Sequence, residues 1–150
     1  MKKFLNKVSK YFKHHALGLL LIRVGLGLVF FMHGWSKINN IPGTEAMFGH
    51  MGLGSGTGIF IAWLETIGGL AVLAGVGTRI FALAFGIEMF VAISIAHGWG
   101  TAYQPHEFEL FLMLVSFGIA LAGSGRFSLY AMDCEQCGAM VCDVHKGKRR

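Results

Sequence analysis

The densest set of reactive side chains lies near the C-terminus. The run DCEQCGAMVCDVH sets Cys134 and Cys137 with two residues between them, and Cys142 and His145 with the same spacing. Three thiolates and an imidazole suit tetrahedral zinc, and short spacers let one loop supply all four ligands. A redox dithiol at Cys134 and Cys137 is a second reading; it needs a stabilised thiolate, which neighbouring Glu135 disfavours. Spare thiols on an unstructured tail are a third.

A second set is ionisable and sits inside apolar runs: Arg23, Glu65 and Glu88, with Glu109 near the end of a fourth run. Such residues cost about 2.5–3.5 kcal/mol each in a spanning helix, and a lone buried charge costs more than a paired one. Arg23 is therefore expected to pair with Glu88, and with Glu65 as a second partner. That pairing either fixes helix register or lines a polar pocket for a quinone head, a proton or a small anion.

Four histidines, His33, His50, His97 and His106, fall toward one side, together with Met47, Met51, Trp35, Trp99 and Tyr103. Tryptophan and tyrosine form belts at membrane interfaces, and histidine can simply be the polar end of a helix. Alternatively the imidazoles donate to a quinone carbonyl or ligate copper, zinc or haem iron. His97 has Glu107 beyond a short loop as an orienting partner.

These residues need helices to carry them. The 150-residue chain is 54% hydrophobic and 14% charged, against roughly 25% charged in a soluble domain, which implies a membrane protein. A spanning helix takes about 20 apolar residues. Four runs fit: Ala16 to Met32, Gly58 to Val76, Ile80 to Ala96, and Phe108 to Ala122. None alternates as a membrane strand would. The expected fold is all-α: an antiparallel bundle of four transmembrane helices over residues 16–129. A basic interfacial segment (1–15) precedes it and a Cys/His-bearing basic tail (130–150) follows. The first run is long and lacks a small-x-small site, so it reads as an uncleaved helix.

Eleven of the thirteen Lys and Arg residues flank one side of these runs, against Lys37 on the other. The excess marks the cytoplasmic side, so both termini are expected there. The net charge of +5 fits anionic headgroups; no nucleic-acid motif accompanies it. A phosphate-cradling role for the glycines of GHMGLGSGTG is weak without a P-loop lysine.

His-Gly-Trp occurs twice, at 33–35 and 97–99. If each copy ends a helix at the outer interface, the two helices align with an offset of 64 residues. Arg23 then lies ten residues before its histidine and Glu88 nine before the other. Both charges would sit roughly 14–15 Å below the outer end.

From Leu19 to Leu129 the chain resembles the DoxX family of small bacterial inner-membrane proteins. The resemblance rests on RVGLGLVFFMHGWSKI (Arg23, Gly27, His33, Gly34, Lys37) and ETIGGLAVLAGVGTR (Glu65, Gly68, Gly69, Gly75, Thr78, Arg79). It rests also on AHG at His97 and on GSGRFSL, where Ser124 stands for the usual proline. It implies a redox-linked membrane protein, since some relatives accompany a thiosulfate:quinone oxidoreductase and others accompany thiol or metal-handling proteins. The tail from Asp133 is not part of the family pattern.

The leading expectation is a multi-pass inner-membrane subunit of a quinone-linked or other redox system, acting with a protein partner. Arg23, Glu65, Glu88 and His97 would form the reactive pocket, and His33 and Glu109 would stand near its mouth. Rival readings are a copper- or zinc-handling protein and a non-catalytic membrane scaffold. Further homo-oligomerisation is open.

Overall fold

A computed structural model of the protein describes residues 15–96, 106–125 and 127–129. Five helices make up the described chain, and no strand occurs among the described residues: α1 (His15–Asn39), α2 (Ile41–His50), α3 (Thr57–Ala74), α4 (Thr78–Ala96) and α5 (Glu107–Ala122). Three of them, over Ala16–Asn39, Thr57–Ala74 and Thr78–Ile95, are long and apolar enough to cross a bilayer. Less than two-fifths of each of these stretches is buried within the chain. Leu21, Ile67, Leu70 and Ile80 are at least half exposed. A helix that is apolar all round needs an apolar surrounding, and lipid supplies it.

α1 and α3 run antiparallel and pack along most of their length, because glycines let their backbones meet. A Cβ at Gly34 would fall 2.5 Å from the Thr66 amide nitrogen, and one at Gly69 would fall 2.6 Å from the Phe31 amide nitrogen. α4 and α5 form the second pair, with Gly86 against the Phe117 ring. The core joins the pairs through Leu26, Phe30, Val72, Phe85, Ile93 and Ile119. At its centre Phe30 and Phe85 stack with ring centroids 3.8 Å apart.

Between α3 and α4 the chain turns within residues 75–77. Gly75 takes a left-handed conformation (φ 78°) and donates back to Ala71 O and Val72 O, an ending that a residue without Cβ adopts at no cost. α2 occupies what the sequence suggests is an irregular outer loop. Asn40 starts it by accepting from the Gly43 amide at 3.2 Å, and Pro42 stands in its first turn. A capping side chain followed by a pre-set φ is a helix start.

Two sequence expectations are corrected here. His33-Gly34-Trp35 does not end a helix: α1 continues to Asn39, because Gly34 serves as a contact point with α3 rather than as a break. The offset between α1 and α4 is also different. Phe30 stacks on Phe85, 55 positions on, where the shared ending implied 64. The nine-residue difference moves α4 by about 13 Å along its axis. Arg23 is therefore level with Thr78, and Glu88 is level with His33.

Candidate functional site

Lys37 projects from the last turns of α1, one helical turn beyond His33. Its Nζ lies 2.6 Å from Glu65 Oε1 on α3. The contact follows from packing: Gly34 meets Thr66, so the residue before Thr66 faces the end of α1. Glu88 on α4 stands one turn past Phe85, and its carboxyl is within hydrogen-bonding reach of Glu65. Three helices thus converge in one ammonium and two carboxyl groups. The Glu65 side chain is 3% exposed and that of Lys37 is 21% exposed, so the lysine stem lies along apolar surface while its head bends inward. The Lys37 ammonium also lies 5.8 Å from the centroid of the Phe48 ring on α2, and the Thr44 hydroxyl donates to Lys37 O at 3.1 Å.

This cluster lines a cavity of about 610 Å³. The other walls are mainly apolar, with Phe30, Leu64, Ile87 and Leu112 among them; His33 and Glu109 also line it, and Met47, Phe48 and Met51 of α2 cover its outer side. The His33 ring lies 6.1 Å from that of Phe108 at the start of α5. Outside the spans, α2 is tied down by Glu45. Its carboxylate accepts from the Gly56 amide at 2.8 Å and from the Ile59 amide at 2.9 Å, and these backbone donors hold its pKa below the ordinary carboxylate range.

Glu65, Glu88, His33 and Glu109, four of the residues singled out from sequence, therefore line one cavity. Arg23 does not join them. Its guanidinium donates to Ser124 O and Phe127 O in the segment leaving α5, next to Gly75 and far from the cavity along α1. The expected pair of Arg23 with Glu88 or Glu65 is thus replaced by Lys37 with Glu65. The physical reason is the register: fourteen residues of α1, about 21 Å, separate Arg23 from Lys37. In the sequence Lys37 stands as the lone cation of the outer flank and as a residue of the DoxX-like motif, with nothing there to mark it as the partner of Glu65. Its spacing of four from His33 would have signalled a shared face, had α1 been carried past Gly34.

His97 and the tail residues Cys134, Cys137, Cys142 and His145 lie outside the described residues. Among the described residues, no group of three or more His, Cys, Asp or Glu side chains is placed to hold a metal ion.

Long apolar helices with lipid-facing surfaces, enclosing a charged cluster inside a cavity, define an α-helical membrane protein. A family model described as DoxX matches residues 18–98, more than half of the chain. A Bacillus subtilis (strain 168) protein named "Putative oxidoreductase CatD" is 38% identical over 117 residues, covering 78% of this chain and 87% of that relative. No solved structure matches. The chain belongs to the DoxX family of membrane proteins.

Proposed function

We propose that the protein is the quinone-binding membrane subunit of a redox system, with a protein partner that supplies or removes the electrons. The observation that carries this reading is the Lys37–Glu65–Glu88 cluster in the wall of a mainly apolar cavity of about 610 Å³. Sites for small organic ligands are mostly apolar, have volumes of about 300–1,000 Å³, and carry a few convergent polar groups. The oxidoreductase name of the Bacillus subtilis relative points the same way.

A quinone, when bound, takes up two electrons and two protons to become a quinol. In this chain the Lys37 ammonium serves as donor to a carbonyl oxygen. Glu65 Oε2 and Glu88 Oε2 are each buried with no hydrogen-bond partner among the described residues, and they hold and pass protons beside it. His33 offers a second donor, and Glu109 carries protons at the mouth. The walls exclude water, which strengthens these polar contacts. We further propose that α5 is a fourth span and that both termini face the cytoplasm, in a bacterial inner membrane. The supporting observation is the Lys and Arg excess on that side.

The test is quinone carried through purification in mild detergent, together with binding of a tail-less quinone analogue. Wild type is expected to retain quinone and to bind the analogue, and Lys37→Met to lose both. A wild-type protein that carries no quinone and ignores the analogue overturns the proposal.

A further inference from the structure

The cavity has a way in that the charged cluster alone does not reveal. α3 and α4 are tight at their inner ends, where Gly68 rests on Phe81 and Phe85. They are still in touch at Glu65 and Glu88. Beyond that level the cavity lies between their outer halves, with Phe60 and Ile61 on one side and Val91 and Ile95 on the other. Phe60 is 65% exposed, Val91 41% and Ile95 40%, so the same apolar side chains line the cavity and reach the outside of the bundle. Toward α1 and α5 the lining includes buried Phe30 (1% exposed) and Leu112 (6%), while His33 and Phe108, whose rings lie 6.1 Å apart, are exposed. On the aqueous side, Met47, Phe48 and Met51 make an apolar cover.

Glu65 lies eight residues below Thr57, hence about 12 Å from the outer end of α3. A water-soluble substrate would have to pass the cover of α2. A molecule already dissolved in the bilayer meets an apolar slot that leads straight to the cluster.

We infer that the slot between the outer halves of α3 and α4 holds the long apolar tail of a membrane quinone, whose head reaches Lys37, Glu65 and Glu88 laterally from within the bilayer. The inference rests on the quinone reading above and adds the ligand class, a long-tailed quinone rather than a soluble one, and its route. Continuity of the slot with the charged cluster assigns its occupant, because one amphiphile satisfies both parts.

The experiment uses the full-length protein in lipid nanodiscs and a quinone bearing a photoreactive group in its tail. After illumination, adducts are mapped by peptide mass spectrometry. The expected adducts fall within residues 60–64 and 91–95. Their yield drops about tenfold when a tail-less quinone is present at about ten times its Kd, by simple competition for one site. Adducts confined to the outer faces of α1 or α5 overturn the route. So does labelling of the slot that the tail-less quinone leaves intact and added phospholipid removes, because the slot would then hold a lipid chain. Binding of the tail-less quinone and its loss in Lys37→Met are scored in parallel. If they persist while the adducts lie elsewhere, only the route fails; if the tail-less quinone does not bind wild type, the quinone reading fails with it.

Discussion

Lys37 is the residue on which the buried carboxyl groups depend. Its ammonium is 2.6 Å from Glu65 Oε1, and removing it leaves a carboxylate in an apolar interior. Lys37→Met is expected to destabilise by on the order of 2 kcal/mol, below the ~3–5 kcal/mol of a fully buried broken pair, since Lys37 keeps 21% of its side chain exposed. Pairing Lys37→Met with Glu65→Gln removes the orphaned charge and should recover part of that loss. Thermal unfolding in detergent checks this, and strictly additive losses would argue against the pair. Glu45 supports a different kind of prediction. Its folded-state pKa is depressed below 4.5 by the Gly56 and Ile59 amides, so the unfolded chain binds the proton more readily. The stabilisation it contributes is fully present above pH 4.5 and is lost as pH falls through the depressed value. Protection of the Gly56 and Ile59 amides from hydrogen exchange should decline over that acid range in wild type. In Glu45→Gln it should be low and flat with pH.

At the level of elements, the α1–α3 pair depends on glycine as a contact surface. Gly34→Ala puts a methyl group 2.5 Å from the Thr66 backbone nitrogen, which only a helix displacement relieves, at about 1–3 kcal/mol. Because Thr66 follows Glu65, the displacement also pulls Lys37 from its partner, so stability and quinone binding should fall together. Gly25→Ala, in the same helix with nothing within 4 Å, should be neutral or stabilise by up to about 1 kcal/mol. Unfolding of the two variants side by side tells packing from propensity. Much at this scale is legible in the sequence. The apolar runs place α3, α4 and α5 within about two residues of their observed ends, because hydropathy and the Gly, Pro and charge boundaries are local signals. α1 is misjudged by seven residues at its end because glycine marks both helix breaks and helix contacts, and a single chain does not distinguish them. α2 is missed because its ten residues carry a cap and a proline more visibly than a periodic pattern.

For the whole molecule, the described helices form two antiparallel pairs joined by the short turn after Gly75 and by Arg23. Arg23 ties α1 to the carbonyl groups of Ser124 and Phe127, and Leu129 N donates to Ala74 O at 3.1 Å, so the inner ends of α1, α3 and α5 are held together. That clasp leaves the outer halves of α3 and α4 to line the cavity. With α5 as a fourth span, an even number of crossings returns the chain to the side from which it started. Reporter fusions at residue 1 and at residue 150 should therefore both be active in the cytoplasm, and opposite signals would remove α5 from the list of spans. α5 has 16 residues and is about 24 Å long, shorter than a 30 Å hydrocarbon core. The clasp at its inner end gives the chain there a buried anchorage.

By itself the sequence determined that this is an α-helical membrane protein, where its long apolar helices lie, and which ionisable residues they carry. Hydropathy, caps and breaks act over a few residues, so they can be read along one chain. The tertiary structure alone decided which of those charges meet. Glu65 faces Lys37 and Glu88 while Arg23 is drawn to the segment after α5, because the partners are set by the sliding of helices past one another. That register comes from contacts far apart in sequence, Gly34 on Thr66 and Phe30 on Phe85, and a shift of about 13 Å between α1 and α4 was enough to exchange one cation for another.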